Sequence, residues 1–248
     1  MADLKGKIAL VTGAGRGIGM AIARRLAADG ATLGVHYVRS ADGAEKVAQS
    51  IRDAGGSAFT VQGDIGSLDD IDRIAEQVRE KAGALDILVN NSGAGSGKND
   101  TSLANMSVED YDATFGLNTR GLFFLTQRVL PLLRDDGRII NFSSTATMAR
   151  SKGLAAYAGS KAAVDAFTRC WATELAPRRI TVNSILPGMV DTDLITNGMG
   201  DEAKVKHAAH HPWGRIGQPD DMADIVSFLA SEDSRWVNGT TIVANGGV

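Results

Sequence analysis

Ile8-Ala9-Leu10-Val11-Thr12-Gly13-Ala14-Gly15-Arg16-Gly17-Ile18-Gly19 decides the fold. Its first four residues read as a short buried strand. Gly13, Gly17 and Gly19 follow at Gly-x-x-x-Gly-x-Gly spacing, not Gly-x-Gly-x-x-Gly. A helical pattern then opens with Ile18, Ile22 and Leu26 on one face. A glycine cluster alone makes only a tight turn. Placed between a strand and an amphipathic helix, it favours dinucleotide binding. A loop without side chains lets backbone N–H groups approach a pyrophosphate, and the helix N-terminus adds favourable partial charge.

The alternation continues outward. Residues 31–37, 57–61 and 86–89 read as strands, and 41–54 and 68–81 as helices. The fourth strand runs into Asn90-Asn91-Ser92-Gly93, and a polar loop covers 95–105. One long helix is expected over 108–133. Tyr111, Phe115, Leu122, Leu125, Val129 and Leu132 form its apolar stripe, with Asn118 on the same stripe. A buried amide left unpaired costs about 1–3 kcal/mol, so Asn118 is either satisfied by nearby backbone or faces a site. A strand over 137–142 leads to Ser143-Ser144-Thr145, and a helix carrying Tyr157 and Lys161 runs to about 177. Strands over 180–186 and 240–244 flank a mixed stretch, 193–217, and a helix over 219–231. Repeated βα units of this length imply a parallel sheet with helices on both faces. Ligands of such sheets bind beyond the strands' carboxyl ends, where the glycine loop, Asp64 and residues 90–93 fall.

Composition narrows the function classes. A chain of 248 residues that is 44% hydrophobic suits one α/β domain. A net charge of -3 gives no basic field for nucleic acid. Cys170 is the only cysteine, which excludes an internal disulfide and a cysteine-based metal site and fits the cytoplasm. No signal-peptide pattern or apolar run of membrane-spanning length is present in the sequence. His207, His210 and His211 include a His-x-x-His spacing without a suitable acidic or thiol partner. They read as a solvated loop, and no metal is expected.

Tyr157 and Lys161 stand four apart, which on a helix puts them on one face. A free phenol titrates near 10, and lowering it by roughly three units needs about 4 kcal/mol of phenolate stabilisation. One partly desolvated lysine supplies much of that. Tyr-x-x-x-Lys also arises by chance in many helices. Tyr157 lies close to the stripe of Val164, Phe167, Trp171 and Leu175, so it points towards the sheet. The opposite face carries Ala155, Ala158, Ala162, Ala166 and Thr173. Small residues there suit packing on another helix, a second subunit included, although alanine is also simply a good helix former.

Taken in order, these residues resemble the short-chain dehydrogenase/reductase family. Thr12 to Gly19 matches its Thr-Gly-x-x-x-Gly-x-Gly motif, and Asn90-Asn91-Ser92-Gly93 its Asn-Asn-Ala-Gly motif with serine for alanine. Asn118, Ser144, Tyr157 and Lys161 fall where the family's catalytic tetrad stands. Residues 217–247 are similar to the 3-oxoacyl-carrier-protein-reductase-like subgroup, with Asn245 where aspartate is commoner. The resemblance covers essentially the whole chain. It implies a single-domain Rossmann fold over 1–248, a seven-stranded parallel sheet, a homotetramer and a substrate loop at about 189–215. It also implies roles. Tyr157 exchanges a proton with the substrate oxygen, and Lys161 lowers the tyrosine pKa and holds the nicotinamide ribose. Ser144 holds the oxygen, and Asn118 positions a water. Gly13, Gly15, Arg16, Gly17, Ile18 and Gly19 hold the diphosphate side. Asp64 and Ile65 contact adenine, and Asn91 and Gly93 the adenine ribose side. Val190 and Thr192 form the carboxamide and diphosphate side, and Pro187-Gly188, which matches the family's turn after the sixth strand, is also cofactor-binding.

Coenzyme choice is legible after the second strand. NAD enzymes place a carboxylate there for the ribose 2′-OH. This chain has His36-Tyr37-Val38-Arg39-Ser40 instead, with Arg16 in the glycine loop. A 2′-phosphate would suit both Arg16 and Arg39, Tyr37 and Ser40 are expected among the cofactor-binding residues, and NADP(H) is preferred over NAD(H). Three functions compete: an NADP(H)-dependent ketone reductase, an NAD-dependent alcohol or sugar dehydrogenase, and a non-catalytic nucleotide-binding regulator. The presence of both Tyr157 and Lys161 favours an enzyme. Asp100, Met148, Arg150, Leu154, Met189 and Trp213 are the candidates to line a small-molecule substrate pocket.

Overall fold

The computed structural model describes residues 2–95, 101–192 and 204–248. Asp100 and the stretch 193–203 of the expected substrate loop lie outside the described residues. The strands are β1 (Ile8–Val11), β2 (Thr32–Tyr37), β3 (Ser57–Gln62), β4 (Leu85–Asn90), β5 (Leu133–Phe142), β6 (Thr181–Pro187) and β7 (Thr241–Ala244). They form one sheet in the order β3-β2-β1-β4-β5-β6-β7, parallel throughout. The helices are α1 (Gly17–Ala28), α2 (Ala41–Asp53), α3 (Leu68–Ala82), α4 (Val108–Phe115), α5 (Leu122–Val129), α6 (Ala155–Glu174) and α7 (Pro219–Ala230). Strand order reverses between β1 and β4, which opens a crevice at their carboxyl ends.

Strand alternation divides the core in two. Ala9, Val11, Ile87 and Val89 pack with Ile22 and Leu26 of α1, Val47 of α2 and Val226 of α7. Leu10 and Leu88 face the other way, against Ile74 of α3, Leu125 of α5 and Val164 of α6. Both faces are covered, so the strands read as continuous apolar runs rather than as alternation. Helix ends follow local chemistry. The Ser67 side chain caps α3 through the Asp70 N–H, and Gly83, at φ +74°, closes it.

The helix expected over 108–133 forms as a continuous helical run from 108 to 132, but it is not regular. Residues Gly116–Gly121 make a π turn between α4 and α5, and Leu130–Leu132 is a 3-10 turn containing Pro131. Proline offers no N–H to continue the α ladder. The π turn widens the helix locally and shifts its phase. Thr114, Asn118, Leu122, Leu125 and Val129 are therefore the buried set, while Tyr111 is 44% exposed and stacks on half-buried Phe115. Gly121 fits because a Cβ there would lie 2.4 Å from the Ile65 carbonyl oxygen.

Three other boundaries move. β5 begins at Leu133 rather than 137, with a register shift against β4 between Leu85 and Ile87. The polar Arg134-Asp135-Asp136 hides that extension in the sequence. α6 stops at Glu174, and Pro177 sits in a 3-10 turn that Arg179 ends at φ 53°. Within the mixed stretch, residues 204–210 are helical. Among the described residues no helix is long and apolar enough to cross a membrane.

Candidate active site

The glycine loop is folded against the end of β4. Gly13 and Gly17 have φ of +65° and +53°, a region that favours glycine. A Cβ on Gly19 would lie 2.3 Å from the Gly13 oxygen and 2.6 Å from Asn91 Nδ2. Thr12 Oγ1 accepts the N–H groups of Asn91 and Ser92, both at 2.9 Å, and Asn91 Nδ2 donates to the Thr12 oxygen at 2.8 Å. α1 starts at Arg16 without a side-chain cap, which leaves its first N–H groups for a ligand. The resulting cleft holds about 600 Å³. Gly13, Gly15, Arg16, Gly17, Ile18, Gly19, Tyr37, Arg39, Ser40, Asp64, Ile65, Asn91, Gly93 and Thr192 line it. A loop with no room for a Cβ at Gly13 or Gly19, a helix start without a side-chain cap and two exposed arginines fit an anionic dinucleotide.

Val38, Ser92 and Leu117 also line the cleft and escaped sequence reasoning. So did His36, which is fully buried. Its Nδ1 accepts the Gly13 N–H at 3.1 Å, so Nε2 carries the proton and donates to the Gly63 oxygen at 3.0 Å. Burial pushes its pKa down to about 4. A polar residue inside a strand buried on both faces was the available signal. Pro187, Gly188, Val190, Tyr157 and Lys161 are not on the wall of this cleft. Val190 belongs to the core and bridges to Gly217, and Pro187 is buried at the end of β6.

Tyr157 and Lys161 lie on α6, and Ser144 starts the turn after β5. Lys161 is buried, and its Nζ donates to the Phe142 oxygen at 2.8 Å. Burial lowers its pKa to about 8, with the Asp165 charge opposing. Burial pushes the Tyr157 phenol above its ordinary value, and its hydrogen bond with Ser144 pulls the other way. Ser144 Oγ also accepts the Ala146 N–H at 3.1 Å, which fixes the hydroxyl at the start of its turn. Thr145 Oγ1 donates to the Pro187 oxygen at 3.1 Å and joins that turn to the end of β6.

Asn118 is fully buried and fully bonded. Its Oδ1 accepts the Ala94 N–H at 2.9 Å, and its Nδ2 donates to the Ala94 oxygen at 2.9 Å and Ser160 Oγ at 3.1 Å. Ser160 Oγ donates in turn to the Tyr157 carbonyl oxygen at 2.7 Å. A Cβ on Gly93 would lie 3.0 Å from Lys161 Nζ and 3.2 Å from Asn118 Oδ1. Gly93, a residue of the cleft wall, therefore brings the cleft up to both groups.

Beneath these residues a polar row crosses the sheet. Asn90, Asn141, Ser184 and Thr241 are in register on β4, β5, β6 and β7. Asn90 Nδ2 donates to Asn141 Oδ1 and Thr126 Oγ1, and Asn141 Nδ2 to Thr168 Oγ1, at 2.9–3.0 Å. Ser184 Oγ donates to buried Asp165 at 2.9 Å. Thr126 belongs to α5, and Thr168 and Asp165 to α6, so these bonds seat both helices on the sheet.

Of the candidate substrate contacts, Met148, Arg150 and Trp213 are exposed and Leu154 is half-buried. His211 Nδ1 accepts the Trp213 N–H at 3.1 Å, and its Nε2 donates to the Asn245 oxygen at 2.8 Å. His210 Nδ1 donates to the Lys206 oxygen at 2.7 Å. Asn245 Oδ1 accepts the Gly247 N–H at 3.1 Å, so asparagine turns the chain end without a charge.

A phenol hydrogen-bonded to a fixed hydroxyl, beside a buried amine, can hold a substrate oxygen and give it a proton. Known proteins carry the same arrangement of sequence and fold. A family model described as enoyl-(acyl carrier protein) reductase matches residues 13–248. A hydroxynaphthalene reductase-like protein of Metarhizium brunneum is 42% identical, over 99% of this chain and 96% of its own. A versicolorin reductase of Emericella nidulans is 41% identical, over 98% and 96%. The crystal structure of the angucycline C-6 ketoreductase LanV with bound NADP superimposes with a TM-score of 0.92. Its identity is 40%, over 99% of this chain and 96% of that one.

Proposed function

The chain belongs to the short-chain dehydrogenase/reductase family, and we propose that it reduces a ketone to a secondary alcohol with NADP(H). The observation that carries this reading is the Ser144–Tyr157 hydroxyl pair beside Lys161, at the Gly93 end of the glycine-lined cleft. The dinucleotide supplies hydride when bound. The chain's own residues do the rest. Ser144 Oγ holds the substrate oxygen. The Tyr157 hydroxyl, kept protonated by its burial, donates its proton as that oxygen gains charge. Lys161 is the nearby cation for the phenolate left behind, and Asn118 fixes the start of α6 through Ser160. Arg16 and Arg39 are exposed on the cleft wall and carry no ion pair among the described residues. No carboxylate stands at the end of β2, where residues 37–40 are Tyr-Val-Arg-Ser. Both facts suit a 2′-phosphate.

The relatives and the solved neighbour act, by name, on hydroxynaphthalene, versicolorin and angucycline compounds. A flat fused-ring ketone is accordingly the substrate class, with Met148 and Trp213 as its exposed apolar contacts. A homotetramer in the cytoplasm is the assembly and compartment. The small-residue face of α6, and exposed Phe228 on α7 and Val243 on β7, support the assembly. Mixing the protein with NADPH and a panel of fused-ring, small aliphatic and acyl-thioester ketones, and following loss of NADPH absorbance, tests the reading. Turnover is expected with fused-ring ketones. No turnover with any ketone, or higher kcat/KM with NADH, would sink it.

A further inference from the structure

We infer that His36 is a positioning residue for the coenzyme, one imidazole bracing the pyrophosphate loop at Gly13 against the adenine-side turn at Gly63. This rests on the cleft being a dinucleotide site. β2 lies between β1 and β3, and each of those strands delivers one of the two loops. His36 stands one residue before the end of β2, fully buried. Its ring spans the gap, with Nδ1 at 3.1 Å from the Gly13 nitrogen and Nε2 at 3.0 Å from the Gly63 oxygen. A neutral imidazole presents an acceptor and a donor at two ends of one rigid plane. The backbone reinforces both contacts. The His36 carbonyl accepts the Ala14 N–H at 2.9 Å, and the Tyr37 carbonyl accepts the Gly63 N–H at 3.1 Å. Gly15 and Arg16 continue one loop along the cleft, and Asp64 and Ile65 continue the other. The ring therefore sets the spacing between the parts of the site that take the diphosphate and the adenine. Burial keeps it in the neutral form that this needs.

Two amide variants divide the brace. In His36→Asn the Oδ1 replaces Nδ1 and keeps the Gly13 contact. In His36→Gln the Nε2 replaces only the donor to Gly63. NADPH affinity of the full chain is read by coenzyme fluorescence, adenosine 2′,5′-bisphosphate affinity by competition, and folding by circular dichroism and Tm. The wild type binds NADPH. In His36→Gln the NADPH Kd is expected to rise about tenfold, as loss of one positioning hydrogen bond implies. The bisphosphate, which lacks the diphosphate bridge, keeps its affinity, and kcat at saturating NADPH holds. His36→Asn recovers most of the NADPH affinity. Failure of the wild type to bind NADPH removes the dinucleotide reading itself. A folded His36→Gln that binds NADPH like wild type overturns the brace. So do equal losses in both variants that follow Tm and fall on both ligands, since these mark a merely structural histidine.

Discussion

The two ends of the site are built by opposite means. The dinucleotide end is made by leaving side chains out. Gly13 and Gly17 take positive φ, and Gly19 lets backbone approach backbone, since a single Cβ there would meet the Gly13 oxygen at 2.3 Å. The proton end is made by putting polar side chains in. Asn118, Ser160, Asn141, Thr168 and Asp165 are buried around α6, each with a bonded partner. Close approach fixes a loop through steric exclusion, which punishes additions. Hydrogen bonds fix a helix through direction, which punishes deletions. One enzyme thus has two kinds of fragility, a few ångströms of cleft apart.

The largest contrast should come from Tyr157→Phe, which removes the proton donor and nothing from the cleft wall. Its kcat should fall on the order of 10³-fold while NADPH Kd stays unchanged. Full activity in that variant would refute the mechanism. The two ends should also fail at opposite pH. His36 titrates at 6.5 when unfolded and about 4 when folded, so the unfolded chain binds more protons between those values. Stability from this group is complete above pH 6.5 and is lost as pH falls towards 4. The loss is about 3 kcal/mol in urea unfolding, and His36→Asn should abolish it. Lys161, lowered to about 8, loses its charge at the other extreme. Because the ammonium is the cation for the phenolate, kcat/KM should decline as pH rises through about 8. A rate that stays flat to pH 10 would separate Lys161 from the proton step.

Smaller effects sharpen the same contrast. Gly19→Ala should weaken NADPH by up to about a hundredfold, as overpacking of roughly 2–3 kcal/mol implies, with the α6 hydrogen bonds untouched. Asn141→Leu deletes rather than adds. It leaves Asn90 Nδ2 one partner short and Thr168 Oγ1 without its donor, and should lower stability by about 1–3 kcal/mol in thermal or urea unfolding. Dinucleotide affinity should not move. If Gly19→Ala spared binding while Asn141→Leu abolished it, the distinction between the two ends would be wrong.

What the sequence made legible was local. The glycine loop, Asn91 and Gly93 are positions where a short stretch dictates its own geometry. The alternation of strands and helices likewise comes from burial within each element. The π turn was hidden because its cause is tertiary. Gly121 packs on the Ile65 carbonyl, from a segment more than fifty residues away, and the periodicity of 108–133 carries no trace of that contact. Asn118 could be seen on a stripe, but not that Ala94 and Ser160 satisfy it. His36 was visible as a residue that is not a carboxylate. Its role depends on two loops that only the sheet order makes neighbours. The Tyr157–Lys161 spacing places both residues on α6, one turn apart. Spacing does not show that Lys161 reaches the Phe142 carbonyl.

The outward face of α6 has a practical consequence. Cys170, the chain's single thiol, is exposed on that helix beside Thr173 and beyond the alanines. A maleimide therefore attaches one reporter per chain on the back of the helix that carries the proton chemistry. In dilute protein the thiol should react fast. If copies assemble through this face, the same thiol should become slow as concentration rises. The rate of labelling then serves as a clock for assembly, read without touching the catalytic residues on the helix's other side.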